Sequence, residues 1–308
     1  MPSLKNYIPA LRYGAKLPLG SLEGAGILTF GNIFFVNSAT GSDTANTGTD
    51  KDQPMATINA AIAKCTANNG DIVFVMPKHA ETITGASAIN LNIAGVRVIG
   101  LGLAGNQPVI TLATPASTTI ALSAVGCSLE NVTLKSTVAE LVSMVVVSAP
   151  GCMLDQVDVQ GGATSIISFL TTTAAGDQLT VSNCQQITTA AVTANAWWIT
   201  LTGADDCQIV NNFFNITTSN NAGSGVIGGA TTASLRVTVK NNDIYNLGTA
   251  CLPLAMYSGS TGMLSYNNVV GSKTAAAGMV APASCYCTQN FVTNVTSTSG
   301  KLDPVATA

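Results

Sequence analysis

Charge is scarce in this chain. Only 9% of its 308 residues are charged, where an ordinary globular domain carries about a quarter. The net charge is −3 and the sequence pI is near 5.0. That balance lacks the basic footprint of a nucleic-acid binder. No apolar run approaches the ~18 residues of a membrane-spanning helix. The longest candidate, 141–149, contains serine, is rich in valine and reads as a buried strand. Neither nucleic acid nor membrane is therefore expected as a partner. Disorder is excluded from the other side, because 47% of the residues are hydrophobic and the net charge is small. The first twenty residues lack the apolar core of a secretory signal, so synthesis and assembly in a cytoplasm are expected.

Metal-binding patterns are missing too. The eight cysteines form no zinc motif, and Cys285 and Cys287 sit too close for a C-x₂-C arm. The loop 41–52 holds Asp43, Asp50 and Asp52 among Ser, Thr and Gly. Clustered oxygens suit calcium, but the spacing is not that of an EF-hand, and the loop reads as a solvated turn. No metal and no cofactor are expected.

What the chain does have is Thr, Ser, Asn, Ala and Gly, and a unit that recurs. Residues 127–134 (CSLENVTL) align with 152–159 (CMLDQVDV), 25 residues on. Relatives follow at 179–184, 207–213, 237–244, 263–269 and 287–292. Amides align at 131, 156, 183, 212, 242, 268 and 290. Periods of 20–50 residues mark repeat architectures, and the alternation within each unit marks strands. Small and β-branched side chains suit stacked rows, where like charges ~4.8 Å apart would repel. Amides at each bend can bond to those above and below as a ladder. Cys127, Cys152 and Cys207 recur at similar places and are expected as buried free thiols. A disulfide between adjacent coils would be strained by parallel side-chain vectors.

The segment 53–76 (QPMATINAAIAKCTANNGDIVFVM) organises the rest. Pro54 fits a first helical turn. Ile58, Ala61 and Ile62 fall on one helical face, and Asn68, Asn69 and Gly70 stop the helix. The run 72–76 (IVFVM) suits a strand buried on both sides. A strand at 33–37 and a Gly/Ser/Thr/Asp loop precede it. Together these residues resemble the opening segment of right-handed parallel β-helix proteins of the pectate-lyase-like superfamily and of many phage tail and capsid surface proteins. The resemblance spans roughly 31–295. It implies an all-β, single-stranded, right-handed parallel β-helix solenoid with a short N-terminal capping helix. The expected division is 1–26 as a docking arm, 27–295 as the β-helix and 296–308 as a tail.

That fold carries lyases, hydrolases and inert virion parts alike, so function must come from a site. A glycosidase needs two carboxylates about 5–9.5 Å apart. Asp155, Asp158, Asp177, Asp205 and Asp206 are the candidates. Asp155 and Asp158 face oppositely on a straight strand unless a bend intervenes. Polygalacturonase-like enzymes carry Asp-Asp, Gly-His-Gly and Arg-Ile-Lys motifs. Here Asp205-Asp206 stands alone and the single histidine, His79, lies near the opening helix. Lyases use an arginine base beside calcium-binding acids, and neither Arg97 nor Arg236 has a matching acid cluster in the sequence. No catalytic residue is assigned. Of the pair Trp197 and Trp198, adjacent in a strand, one ring is expected inside and one outside, where it could touch a glycan or a second subunit, although packing of the outer ring in a surface loop is the favoured reading.

The arm holds Tyr7, Ile8, Leu11 and Tyr13 as apolar anchors and Lys5, Arg12 and Lys16 as charges. It either docks on a neighbouring subunit or an acidic platform, or folds back over the chain's own first coil. With the resemblance, the expectation is a homotrimeric, non-enzymatic decoration protein on a phage virion surface, bound to other virion proteins, the major capsid protein first. The alternative is a tailspike that binds or cleaves host glycans.

Overall fold

The computed structural model describes residue 29 and residues 31–103, 105–160, 166–192, 197–218, 225–229, 231–246, 252–271, 279–282 and 284–294. The proposed arm, with Lys5, Tyr7, Ile8, Leu11, Arg12, Tyr13 and Lys16, and the tail 296–308 lie outside the described residues.

The chain opens with β1 (Ile33–Val36), α1 (Ile58–Ile62), β2 (Ile72–Val75), β3 (Ala80–Thr84) and β4 (Ile89–Leu91). Triplets follow: β5 (Arg97–Gly100), β6 (Val109–Ala113), β7 (Ile120–Leu122); β8 (Ser128–Glu130), β9 (Thr133–Ser136), β10 (Val145–Val147). Next come β11 (Met153–Asp155), β12 (Asp158–Gln160), β13 (Leu170–Thr172); β14 (Thr180–Ser182), β15 (Gln185–Val192), β16 (Trp197–Thr200). Then β17 (Gln208–Val210), β18 (Phe213–Thr218), β19 (Gly225–Gly228); β20 (Val237–Lys240), β21 (Asp243–Asn246), β22 (Leu252–Ala255). The described chain closes with β23 (Gly262–Ser265), β24 (Asn268–Gly271), β25 (Met279–Val280), β26 (Cys285–Thr288) and β27 (Phe291–Asn294).

Each triplet contributes one strand to each of three sheets. Among the described residues, a first sheet of ten strands runs β1-β2-β5 through β26, a second of nine runs β3 to β27, and a third of eight runs β4 to β25. The ladders between named strands are parallel, as in the in-register pairs Leu129↔Leu154 and Leu154↔Val181. This is a parallel β-helix. Its interior is one continuous apolar core running from Phe34 and Val36 to Val292.

The coils turn at residues in the left-handed region. Between the third and first sheets these are Gly70, Gly95, Gly126, Gly151, Gln178, Asp206 and Arg236, with φ of 57–75°. Between the first and second sheets they are Asn131, Gln156, Asn183, Asn211, Asn241, Tyr266 and Gln289, with φ of 51–59°. Asn is the residue other than Gly that enters this region at least cost. The turn keeps the ladder unbroken: the Asn131 N–H donates to Asp155 O at 2.9 Å and the Asn241 N–H to Ser265 O at 3.2 Å.

The amides of the repeat, which the sequence places in one row, occupy two different positions. Asn131, Gln156 and Asn183 are the turn residues, but Asn212, Asn242 and Asn290 each follow one. The third of that series is Asn267, not Asn268. These four point inward and build the buried amide ladder: Nδ2 of Asn212, Asn242 and Asn267 each donates at 2.9 Å to Oδ1 of the next. In the earlier coils the same place is apolar, with Val132, Val157 and Cys184 buried.

The helix also differs from expectation. It starts at Ile58 with Thr57 as N-cap, whose hydroxyl accepts from the Ala60 N–H. Pro54 lies before it and its carbonyl accepts from Ser42 N and Asn46 Nδ2. The helix ends at Ile62, ahead of Asn68–Gly70. Asp43, in the preceding loop, fixes this start, accepting from Ala56 N at 2.7 Å and from the Thr57 hydroxyl at 2.8 Å. Ile58, Ala61 and Ile62 are buried in the core. Asn59 Oδ1 takes the Asn90 N–H at 3.2 Å, so the helix covers the edge strand β4.

Candidate functional site

Glu130 ends β8 and Asp155 ends β11, and the two are in-register neighbours on the outward face of the first sheet. Adjacent strands are about 4.8 Å apart, so two carboxylates share one patch. Asp158 starts β12 on the second sheet, beyond the Gln156 turn. The bend therefore intervenes, and Asp155 and Asp158 flank a corner rather than opposing each other across one strand. This acidic corner is the strongest candidate for chemistry among the described residues.

Its bonds are turned inward to the fold. The Arg97 guanidinium clamps Glu130 in a fork, Nε to Oε1 at 2.9 Å and a terminal nitrogen to Oε2 at 2.8 Å. The Ser128 hydroxyl adds a bond to Oε1. The Arg97 fork onto Glu130 holds the Arg97 pKa above its usual value, against the opposing effect of burial. Asp155 Oδ1 accepts from Ser182 Oγ at 2.6 Å and Asn183 Nδ2 at 2.7 Å. Burial pushes the Asp158 carboxyl up, opposed by a hydrogen bond from Gln185. Glu130 was missed as a candidate, yet the 25-residue offset that aligns Cys127 with Cys152 also aligns it with Asp155.

The other acids line a different corner. Asp177 Oδ1 accepts from Asp205 N, and Asp205 Oδ1 accepts from Leu235 N, both at 2.7 Å. Arg236 forks onto Asp206 at 2.6 and 2.8 Å and lies 3.6 Å from Asp205. The hydrogen bonds from Arg236 hold Asp206 below the usual carboxylate range. Both arginines thus have acidic ion-pair partners one coil away, at separations of 30 and 33 residues. The acids of the loop 41–52 do not converge: Asp50 binds Asp52 N and Asp52 binds Lys51. Among the described residues no cluster of three or more His, Cys, Asp or Glu could hold a metal.

His79 is buried and structural. Its Nδ1 accepts from Ser38 N and its Nε2 faces Glu81 Oε2, each at 3.0 Å. The Ser38 N–H must donate, so the ring proton sits on Nε2. The described cysteines are unpaired thiols, and Cys127, Cys152 and Cys207 are buried in the column of residues following the third-to-first-sheet turns. Burial pushes Cys152 up to about 11 and Cys207 up to about 12, so neither offers a thiolate nucleophile.

Trp197 and Trp198 lie in β16, and neither ring is offered to a ligand. Trp198 turns inward and stacks on Phe169, with centroids 6.0 Å apart. Trp197 turns the other way but is only 5% exposed. Its ring lies against Gly228, where a Cβ would meet Cε3 at 2.6 Å. The two rings thus point in opposite directions, and the outward one is packed rather than open to a glycan.

No protein-family profile and no curated protein matches the chain. Two solved β-helix structures are similar. A rhamnogalacturonan lyase has a TM-score of 0.47 at 11% identity, over 79% of this chain and 74% of that one. The GH136 lacto-N-biosidase of Eubacterium ramulus has a TM-score of 0.46 at 13% identity, over 88% of this chain and 70% of that one. Likeness at this level says nothing about a reaction.

Proposed function

We propose that the chain is a non-enzymatic structural rod and, at the finer level, a homotrimeric decoration protein on the surface of a phage capsid, anchored through residues 1–26. One observation carries the first part. The carboxylates that could do chemistry are engaged in bonds that join coil to coil, with Glu130 on Arg97, Asp155 on Asn183 and Asp206 on Arg236. A catalytic carboxylate must reach substrate as acid, base or nucleophile, and fork-clamped groups such as Glu130 are poorly placed to do so. The virion placement is supported by the resemblance of the opening segment. Labelling the protein in intact particles tests that placement; label absent from heads removes it.

A second reading, a tailspike acting on host polysaccharide, is favoured by Asp158, whose raised carboxyl lies across one turn from Asp155. General acids of glycosidases have raised pKa values. Incubation with host capsule or lipopolysaccharide, following reducing ends and unsaturated products, separates the readings. The expected result is no turnover. Turnover abolished by Asp155→Asn or Asp158→Asn replaces the structural reading.

A further inference from the structure

Exposed aromatic rings gather at one end of the rod. Among the described residues the exposed phenylalanines and tyrosines are Tyr257, Tyr266, Tyr286 and Phe291. The last three share the corner between the first and second sheets. Tyr286 of β26 is in register with Met263 of β23. It stands between Cys285 and Cys287 of the interior core, so its own side chain leaves the core, and it is 82% exposed. Across the turn Phe291 opens β27, in register with Asn268 and through it with Asp243, and is 58% exposed. Tyr266 is the turn residue one coil earlier. Tyr245 adds a fourth ring, 5.7 Å from that of Phe213, and its hydroxyl accepts from Asn268 Nδ2 at 3.3 Å. Polar groups lie between the rings. Lys240, Ser265 and Thr288 form one in-register row, and the buried Ser265 hydroxyl has no partner. The strands that meet at this corner from β8 to β15 carry no aromatic residue.

We infer that this corner is a binding face for an uncharged glycan. A pyranose ring presents a flat C–H face that stacks on an aromatic ring, and its hydroxyls exchange hydrogen bonds with neighbouring amides and hydroxyls. Thr288, Gln289 and Asn241 are exposed beside the rings and offer such groups. Charge selects the class of ligand. Lys240 and Asp243 cancel, so the corner lacks the positive groove that nucleic acid or an anionic polysaccharide needs. Size selects against a second copy of the chain. Three coils by the span from Tyr286 to Phe291 give a footprint of roughly 10 by 15 Å, far below the ~800 Å² each partner contributes to a standard protein interface. The backbone points the same way. Tyr266 sits at φ 56°, where the other coils place Asn or Gln, and strain of that kind is kept where a side chain has work to do. Binding here needs neither turnover nor a capsid, so it is tested apart from both roles proposed for the chain.

Titration calorimetry of the full-length protein with maltotetraose, cellotetraose and N-acetylchitotetraose tests it. At least one should bind with a Kd on the order of 1 mM, as expected for a small open site. Tyr286→Ala should weaken that binding about tenfold, the worth of one stacked ring, whereas Tyr286→Phe should keep it within about twofold. Tyr266→Asn should also weaken binding while leaving the protein at least as stable, a split that a purely structural ring would not give. Because these rings are exposed, circular dichroism of every variant should keep the native β spectrum. Binding of none of the three sugars, or equal binding by wild type and Tyr286→Ala, overturns the inference. A subunit mass in light scattering that falls in Tyr286→Ala/Phe291→Ala also overturns it, assigning the rings to a second copy of the chain.

Discussion

Tyr266 occupies a left-handed turn position with φ 56°, where most other coils place an amide. A bulky side chain there is strained by about 1 kcal/mol relative to Asn. Its ring lies under Lys240, 5.6 Å away, and is half exposed. Tyr266→Asn should therefore stabilise the protein by ~0.5–1 kcal/mol, raising Tm by ~2 °C in a thermal melt. Asn242 is the opposite case. It is fully buried, donates to Asn267 and accepts from both N–H groups of Asn212. Asn242→Ala strands polar groups on both neighbours, each costing ~1–3 kcal/mol when unpaired. A loss of roughly 3 kcal/mol is expected in denaturant unfolding. A loss below ~1 kcal/mol would show that water replaces the missing rung.

At the scale of elements, the opening of the rod hangs on Asp71, which precedes β2 and is fully buried. It accepts from Asn32 N and Thr66 N, both at 2.6 Å, and from Asn69 Nδ2 at 2.7 Å. It thereby ties the start of β1 to the start of β2 and to the chain leaving α1. Burial pushes its carboxyl up, but these bonds outweigh it and hold the folded pKa below the ordinary 3.8. A depressed folded value stabilises the fold above the unfolded pKa. That stability is lost as the pH falls through the folded value. Acid unfolding should thus lose a contribution below about pH 4 that Asp71→Asn abolishes. The variant should also be less stable at neutral pH by ~2 kcal/mol, since an amide nitrogen cannot accept these bonds. An unchanged acid limb in Asp71→Asn would remove this role.

For the whole molecule, sparse charge has a consequence for assembly. Interspersed surface charges normally oppose association, and the middle coils of the first sheet present Ser, Thr and Gln with few of them. The proposed trimer predicts a mass of about three times 31.2 kDa by light scattering at micromolar concentration. A monomer there would end the trimer proposal while leaving the rod intact. Far-ultraviolet circular dichroism should show β-structure with almost no helix, since among the described residues the one named helix has five.

The repeat was legible because each coil solves the same problem: inward apolar residues alternate along a short strand, then a residue enters the left-handed region. The both-sided burial of β2 was legible in IVFV because an unbroken apolar run leaves neither face polar. The column of buried cysteines followed from their shared place in the repeat. Contacts between coils were not. The repeat length varies as loops grow, so amide spacing alone does not separate turn residues such as Asn131 from inward ladder residues such as Asn242. The Arg97–Glu130 and Arg236–Asp206 forks likewise join residues whose separation depends on the loops between them. Trp197 shows the last limit. Sequence alternation determined that its ring would leave the core, but only the packing of the outer wall against Gly228 decided that it would still be buried. Alternation sets the direction of a side chain, whereas exposure depends on what lies over it.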